Sequence, residues 1–361
     1  MKLFNEEREC CGCNACANIC PKGAITMIRN DEGFAYPQVD NDKCVNCNLC
    51  EKVCPLKNEV KDTPNNKYFG FKLQDDDKRN ESSSGGVFQA IANKIFAEEG
   101  VIFAAGFTED MKVHHLEIDK PEDLIKVQRT KYVQSNLVDT HKKIKQHLNN
   151  GKKVLFIGTP CQVHSVKLFL GHEYENLFTI SLVCYGVPSP EIWEKYVDYL
   201  QTKHKGKLTF YNFRDKRAHD AGHTTAYVVN GKEHSTNIYK DPYCSIFFKK
   251  YMIRPSCHEC HYTTPLRCSD FTIGDFWGVE KVNPEFDDQM GVSLVIAHTE
   301  KAQNLFEEIS VDNLTFECEE KYTLQPRLQG PTPPHENRAK FMEHYKNWPF
   351  KLFLMWYSKI K

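Results

Sequence analysis

The segment ECCGCNACANICP, from Glu9 to Pro21, is matched in spacing by KCVNCNLCEKVCP, from Lys43 to Pro55. Each segment carries four cysteines in the order Cys-x2-Cys-x2-Cys-x3-Cys-Pro. Each of these cysteines of the first segment has its counterpart in the second segment, 34 positions later. A cubane iron–sulfur cluster needs four thiolates that converge on one site, and this spacing supplies three from one loop and the fourth from another. The duplicated spacing therefore predicts two [4Fe–4S] clusters.

The spacing is typical of bacterial two-cluster ferredoxins, in which the fourth cysteine of each run binds the other cluster. We therefore assign one cluster to Cys10, Cys13, Cys16 and Cys54, and the other to Cys44, Cys47, Cys50 and Cys20. The alternative is a zinc module or a disulfide scaffold, but zinc sites favour other spacings and disulfide frameworks go with secreted chains. Cys11 is out of register with the repeat, and we interpret it as a neighbour of the cluster or an inert thiol.

The residues between the two runs predict two short strands, 24–27 and 33–39, around a turn at residues 30–33. These strands would cover the clusters and limit access of water, which is one determinant of reduction potential. We therefore predict an α+β, ferredoxin-like two-cluster module over residues 1–57. The charged stretch that follows, residues 58–67, is interpreted as a linker.

Composition limits what the whole chain can be. Of its 361 residues 40% are apolar, so about 300 residues beyond the module can build a large domain. A formal net charge of −1 gives no electrostatic case for nucleic acid, and a mean hydropathy of −0.56 without a long apolar run argues against a membrane span. Sixteen cysteines without a signal peptide predict a cytoplasmic protein whose thiols bind metal. The sequence leaves a homo-oligomer open.

Residues 68–325 alternate between strand and helix patterns. The predicted helices cover residues 87–100, 121–127, 137–148, a segment starting near Val163, and 190–200. The predicted strands cover residues 101–107, 154–157, 177–184, 226–229, 271–273 and 292–297, with a hairpin turn at Asn230-Gly231. This alternation predicts an α/β domain with a mixed, partly parallel sheet. We divide it into residues 68–150 and 151–325, followed by a tail, 326–361, for which a docked helix is favoured over a membrane or partner surface.

One-electron clusters need a two-electron partner if the overall reaction is a hydride transfer, and flavin is the common converter. The candidate for a flavin diphosphate site is a helix start where hydroxyls, bare backbone and the helix dipole favour an anion. It consists of Ser82, Ser83, Ser84, Gly85 and Gly86. An ordinary helix cap with a flexible glycine pair is the alternative. Asp275, in a glycine-bounded turn after a strand, could bind a ribityl hydroxyl or cap the turn.

A further cysteine group, Cys257-x2-Cys260-x7-Cys268, supplies three thiolates from one loop. Cys161, at the end of a predicted parallel strand, or Cys184, at the end of the next, would complete a third iron–sulfur site. The alternative is a structural zinc bound by three cysteines and a histidine.

Seven segments spread over residues 68–330 occur in the order found in one family. They are Ser82-Ser83-Ser84-Gly85-Gly86-Val87, Lys131-Tyr132-Val133-Gln134-Ser135, Gly158-Thr159-Pro160-Cys161-Gln162, Cys184-Tyr185-Gly186-Val187-Pro188-Ser189-Pro190, Phe213-Arg214-Asp215-Lys216, the loop from Cys257 to Cys268, and residues 270–278. With these motifs the chain resembles the deazaflavin (coenzyme F(420)) hydrogenase/dehydrogenase beta-subunit family. Tyr185 departs from the histidine expected in many relatives, which puts a proton-donor role there in doubt.

The resemblance implies FAD, a cubane cluster and hydride exchange with a deazaflavin coenzyme. It implies that Lys131 and Ser135 contact the flavin or its phosphate, and that Gly158 and Thr159 approach the flavin ring. The implied third cluster is bound by Cys161, Cys257, Cys260 and Cys268.

Together these features predict an iron–sulfur flavoprotein oxidoreductase that exchanges electrons with an organic hydride carrier, and with a redox protein as a further partner. Two alternatives stay open. One is a non-catalytic electron-transfer subunit that docks to a separate enzyme, and the other is a reductase that acts directly on a sugar, nucleotide or other small molecule.

Overall fold

The computed structural model describes residues 2–60, 65–217 and 222–359. In the N-terminal module, strands β1 (Ile25–Arg29) and β2 (Ala35–Val39) form an antiparallel hairpin, which confirms the two predicted strands. Helices α1 (Ala15–Ile19) and α2 (Leu49–Lys52) each begin inside a cysteine run, after an asparagine in the left-handed conformation. The repeated spacing therefore produces a repeated backbone path.

The large domain follows, with a main sheet, a smaller sheet and helices on their faces. Its strands are β3 (Lys67–Leu73), β4 (Val101–Phe107), β5 (Val113–Ile118), β6 (Val154–Gly158), β7 (Leu177–Leu182), β8 (Leu208–Asp215), β9 (Thr224–Val229), β10 (Lys232–Asn237), β11 (Phe271–Asp275), β12 (Ser293–Ala297) and β13 (Asn313–Cys318). Its helices are α3 (Asp76–Asn80), α4 (Val87–Ala97), α5 (Leu124–Val127), α6 (Thr140–Asn149), α7 (Pro160–Leu170), α8 (Pro190–His204), α9 (Pro242–Phe248), α10 (Val279–Val282), α11 (Glu300–Ser310), α12 (Arg338–Asn347) and α13 (Phe350–Lys359).

The main sheet has the strand order β13-β3-β12-β11-β7-β6-β4-β5. Strands β4, β6, β7 and β11 pair in parallel, and β3 runs in the same direction because it is antiparallel to β12, which is antiparallel to β11. Strand β6 (Val-Leu-Phe-Ile-Gly) is almost wholly buried, as expected for a strand covered on both faces. The predicted mixed, partly parallel sheet is confirmed.

The smaller sheet has the order β10-β9-β8, and the predicted hairpin joins β9 to β10. Asn230 and Gly231 both have positive φ (51° and 70°), which this tight turn requires. Around this sheet lies an aromatic core centred on Trp193, whose indole N–H donates to the carbonyl of Met111 (2.6 Å).

Several elements of the structure differ from the sequence-based expectations. The predicted regions 68–150 and 151–325 share one sheet, because β3, β4 and β5 interleave with strands from beyond residue 151. Strands β3 and β13 and helix α11 were not predicted. Helix α7 begins at Pro160, before Val163, because Thr159 and Gln162 form a capping box. The linker prediction covers residues 61–64, which lie outside the described part of the chain, and its last residue, Lys67, is already strand.

The C-terminal segment packs onto the domain, as the docked-helix interpretation predicts. Helix α13 buries Phe353, Leu354 and Tyr357, while Leu352, Met355 and Trp356 are exposed. Among the described helices, none is both long enough and apolar enough to cross a bilayer.

The N-terminal module lies directly against the large domain. The Arg338 guanidinium pairs with both oxygens of Glu32 (3.1 and 2.5 Å), in the turn between β1 and β2. Further hydrogen bonds run from Asn18 Nδ2 to Val138 O (2.7 Å), from Ser189 Oγ to Glu32 O (2.6 Å) and from Tyr262 OH to Pro55 O (2.9 Å). These contacts fix the first cysteine run against the domain.

Candidate cofactor sites

The predicted site residues gather at one edge of the main sheet. Strands β3, β6, β7 and β11 run in the same direction, so the segments that follow them meet at their carboxyl ends. These segments carry the Ser82–Gly86 loop, Cys161, Cys184 and Asp275. Open α/β sheets bind their ligands in the crevice at this edge.

A pocket lies where this edge meets the N-terminal module. Five cysteines line it: Cys11, Cys161, Cys184, Cys257 and Cys260. Gly186 has a φ of +119°, and a Cβ there would lie 2.7 Å from Ile253 Cγ2 and 3.3 Å from Cys257 Cβ. The glycine therefore lets the turn after β7 approach the Cys257 loop closely.

The thiols of this cavity influence one another. Burial raises the pKa of Cys257 to about 12 and that of Cys260 to about 11, and the nearby Cys161 thiolate adds to both. The pKa of Cys161 is lowered to about 7, chiefly by a hydrogen bond from the Cys11 thiol, with a contribution from Thr159. Its sulfur lies 3.2 Å from Thr159 Oγ1. Cys161 is therefore the thiol of this group that is most easily deprotonated.

Cys268 lies apart from this cavity. It precedes β11, at the opposite end of the strand from Asp275, and its carbonyl accepts a hydrogen bond from Lys167 on α7 (2.8 Å). Its side chain packs against the core cluster that contains Phe156, Val163 and Phe169. The structure thus brings Cys161, Cys257 and Cys260 together with Cys184, the alternative fourth residue, rather than with Cys268. Within the described residues, no three His, Cys, Asp or Glu side chains converge closely enough to bind a single metal ion.

The first N-terminal cluster site also has a defined cavity. It is lined by Cys10, Cys13, Cys16 and Cys54, with Cys11 and Cys50 beside them. Burial, together with the nearby thiolates of Cys13 and Cys10, raises the pKa of Cys54 to about 11. The fourth cysteine of the second run therefore faces the first run, the arrangement that crossed ligation requires.

The Ser82–Gly86 loop uses its own polar groups within the protein. Ser83 Oγ accepts hydrogen bonds from Thr130 N (2.8 Å) and Thr130 Oγ1 (3.0 Å), and Ser84 Oγ donates to Val292 O (2.9 Å). A Cβ on Gly85 would lie 2.1 Å from the Phe71 carbonyl oxygen, so this glycine is needed for packing against β3. Gly86 has a φ of +91° and precedes α4.

Two buried amines flank this loop. Lys131 Nζ donates to the carbonyls of Gln128 and Arg129, and Lys216 Nζ donates to those of Ser84 and Arg79. Burial lowers the pKa of both lysines to about 7, with contributions from Arg129 at Lys131 and from Arg214 at Lys216. Gln128 Nε2 is buried nearby without a hydrogen-bond partner. The surroundings of the loop therefore offer donors and positive charge to an anion.

The remaining candidates have partners of their own. Ser135 Oγ is buried between His115 Nδ1 (3.0 Å) and Gln162 Nε2 (3.1 Å), so it orients the turn after β6. The backbone N–H of Thr159 donates to Gln162 Oε1 (3.0 Å), immediately after Gly158. Asp275 accepts a hydrogen bond from Arg214 Nη1 (2.5 Å) on β8. Arg214 and Lys216 thus bring the smaller sheet to the edge of the crevice.

Sequence reasoning missed three residues of these sites. Gln134 lines the cysteine cavity and its Nε2 donates to Cys11 O (2.8 Å), and Arg254 contacts Cys10. Lys216 was quoted only as part of a family motif. Single polar residues carry no periodic pattern, so position within the motifs 131–135 and 213–216 was the available signal for Gln134 and Lys216, and no motif contained Arg254.

Comparison with known proteins finds relatives for both parts of the chain. Residues 151–321 match the family described as the carboxyl-terminal part of the beta subunit of coenzyme F(420) hydrogenase/dehydrogenase, and residues 9–58 match the 4Fe-4S dicluster domain. The chain is 25% identical over 294 residues to an F(420)H(2) dehydrogenase subunit of Methanosarcina mazei, covering 77% of this chain and 78% of the relative. The chain also resembles a chain in a structure of the F(420)-reducing [NiFe] hydrogenase complex from Methanosarcina barkeri, with 16% identity and a TM-score of 0.47. The match covers 79% of this chain and 93% of the hydrogenase chain.

Proposed function

Because the chain belongs to the coenzyme F(420) hydrogenase/dehydrogenase beta-subunit family and carries a 4Fe-4S dicluster domain, we propose that it is an iron–sulfur flavoprotein oxidoreductase. Its hydride carrier is a reduced deazaflavin coenzyme, as the name of the Methanosarcina mazei relative suggests. The electrons are exchanged with [4Fe–4S] clusters and leave to a redox protein.

The observation that carries this proposal is the cysteine cavity. Cys161, Cys184, Cys257 and Cys260 surround it, and four thiols in a largely apolar cavity suit a third [4Fe–4S] cluster. Cys11 lines both this cavity and the one around Cys10, Cys13, Cys16 and Cys54. A single loop therefore separates the two sites, which favours electron exchange between them.

The crevice residues fit an FAD diphosphate. Lys131 and Lys216 would bind the anion, Gln128 Nε2 would gain a partner, and the start of α4 adds the positive end of its dipole. FAD, when bound, supplies the conversion between a two-electron hydride and single electrons. Thr159 also lines the cysteine cavity.

Cofactor content is the first test. After anaerobic purification, iron, sulfide, zinc and FAD are quantified on one sample. We expect about twelve iron atoms per chain and one FAD, since three cubane clusters hold four irons each. About eight irons with stoichiometric zinc would assign the cavity to zinc, and absence of flavin would contradict the flavoprotein assignment.

The diphosphate site is tested with Lys216→Met, and Lys301→Met serves as the control. Lys301 likewise donates to two carbonyls, Leu177 O (2.6 Å) and Tyr174 O (3.2 Å), but at the opposite end of β7. We expect weaker FAD binding in Lys216→Met alone. The pKa values of Lys131 and Lys216 are about 7 without a ligand, and a bound anion should raise both. Binding of FAD should therefore take up protons, so the affinity for FAD should fall as the pH rises from 7 to 9. Unchanged FAD content in Lys216→Met would place the diphosphate elsewhere.

The non-catalytic alternative is tested by activity. The purified protein should oxidise a reduced deazaflavin with a dye as the electron acceptor, and reduced nicotinamide serves as the comparison. If neither donor reduces the flavin or the clusters, the chain is an electron-transfer subunit without a substrate site.

A further inference from the structure

Arg254 has an unusual position for a charged residue. Its side chain is 1% exposed, and it lies against the loop of the first cysteine run. Nε donates to Cys10 O (2.8 Å), Nη2 lies 3.7 Å from Cys10 Sγ, and Nη1 donates to Gln134 Oε1 (3.1 Å). Its guanidinium carbon lies 4.3 Å from the centre of the Tyr36 ring. A buried positive charge thus touches a cluster-binding sulfur directly.

The backbone of the same residue holds the second cysteine site. Arg254 N donates to Val187 O (2.9 Å), and Cys257 N donates to Arg254 O (2.9 Å). The residue therefore joins the turn after β7, the Cys257 loop and the Cys10 loop. Its backbone and side chain therefore contact residues that line both cavities.

The second cysteine run has different surroundings at the equivalent position. Cys44 Sγ is 3.6 Å from Asn46 Oδ1, in an exposed loop. A neutral local partner there contrasts with the distant arginine that contacts Cys10.

We propose that Arg254 is a positioning residue that raises the reduction potential of the cluster bound by Cys10, Cys13, Cys16 and Cys54. One-electron reduction adds one negative charge to the cluster and its four thiolates, with no bond made or broken. A guanidinium beside a ligand sulfur stabilises that added charge, because hydrogen bonds to sulfur and local charge set cluster potentials. The inference rests on the dicluster part of the proposed function and on crossed ligation, and it needs neither FAD nor the third cluster.

The test is a mediated redox titration of the full chain, with dithionite as the reductant and the reduced clusters followed by electron paramagnetic resonance. Arg254→Gln removes the charge and keeps a donor, and Arg254→Lys keeps the charge. The matched control is Arg338→Gln, because Arg338 is also an interface arginine and donates to Ile253 O, but pairs with Glu32. We expect one cluster of Arg254→Gln to shift to lower potential and the other to stay. Arg254→Lys should shift less, and Arg338→Gln should not shift.

Full iron content with both N-terminal potentials unchanged in Arg254→Gln would overturn the proposal, and so would an equal shift of both. If both Arg254 variants lose cluster iron while Arg338→Gln keeps it, Arg254 acts in assembly only and the tuning role is rejected. The flavin assignment is tested separately, because it fails only if the unmodified protein contains no FAD.

Discussion

The two cysteine runs have the same spacing and the same local backbone but different surroundings. Asn14 and Asn48, 34 positions apart, both precede a helix with positive φ (65° and 59°), and Gly12 and Asn46 both lie in the left-handed region. The first run is covered by the large domain, where Cys11 is 8% exposed. The second faces solvent, where Val45, at the equivalent position, is 56% exposed.

This difference separates what a metal-binding motif specifies from what the rest of the chain adds. Spacing fixes which sulfurs converge, because a cubane cluster imposes the same geometry on both runs. Burial and neighbouring charge set the potential, and these come from residues more than 100 positions away, such as Gln134 and Arg254. We expect the buried site to communicate with the large domain and the exposed site with a redox partner.

The largest expected effect is the loss of one cluster at a time. Cys20→Ala should remove the cluster of Cys44, Cys47 and Cys50, and Cys54→Ala should remove that of Cys10, Cys13 and Cys16, each with about four irons. Anaerobic alkylation followed by mass spectrometry identifies the cysteines that are released. Cys54→Ala should also lower the Tm more, because its cluster lies at the domain interface. Release of Cys10, Cys13 and Cys16 by Cys20→Ala would refute crossed ligation.

Loss of the third cluster should affect the cluster of the first cysteine run, which is buried, but not the cluster of the second run, which is exposed. Cys184→Ser should lose about four irons from the third site and change the spectrum of the neighbouring Cys10 cluster, whose loop shares a wall with that cavity. Cys268→Ser is the control, since Cys268 does not line that cavity and packs against a separate core cluster. Loss of iron in Cys268→Ser and retention in Cys184→Ser would restore the ligand set that the sequence suggested.

The fold could be predicted where the pattern is local. The β6 run needs only neighbouring residues, and the mixed sheet follows from the alternation of strands and helices. Strand β3 was missed because Gly70 interrupts it and its partners β12 and β13 come more than 200 residues later. A Cβ on Gly70 would lie 2.1 Å from the Phe316 ring, so the glycine makes room for that ring.

The cofactor sites show the same difference between local patterns, which the sequence reveals, and contacts between distant residues, which it does not. The eight N-terminal cysteines could be assigned because the ligands repeat. The sequence left the fourth ligand of the third site open between Cys161 and Cys184 and took Cys268 as a ligand, because the pattern does not show at which end of β11 Cys268 lies. Ser135, which the family resemblance assigns to the flavin, is buried and hydrogen-bonded to His115 and Gln162, a pairing that no sequence pattern indicated.

A smaller effect on stability is expected from substitutions at Gly12 and Asn46, which occupy equivalent left-handed positions in the two cysteine runs. A Cβ on Gly12 would lie 2.7 Å from Arg254 Nη1 and 3.0 Å from Gln134 Nε2, so Gly12→Asn must displace both side chains. Loss of those buried hydrogen bonds should cost about 1–3 kcal/mol of unfolding free energy. Asn46→Gly should cost less than about 1 kcal/mol, because its loop is exposed. Chemical denaturation of both variants measures the difference, and equal costs would show that Arg254 and Gln134 do not constrain the first loop.

The smallest effects concern the ion pairs that hold the β1–β2 hairpin to the large domain. The side chains of Glu32 and Arg338 are both 15% exposed. Arg338→Ala would therefore leave the Glu32 carboxylate without its partner in a mostly buried position, which should cost about 1–3 kcal/mol of unfolding free energy. The Arg29–Glu194 pair is 43% and 25% exposed, and Arg29→Ala should cost less than about 1 kcal/mol. Raising the salt concentration should weaken the contribution of Arg29 and leave that of Arg338 nearly unchanged, because solvent screens exposed charges most. If both contributions fall equally with salt, the hairpin is open to solvent, and the first cluster would then be no better protected than the second.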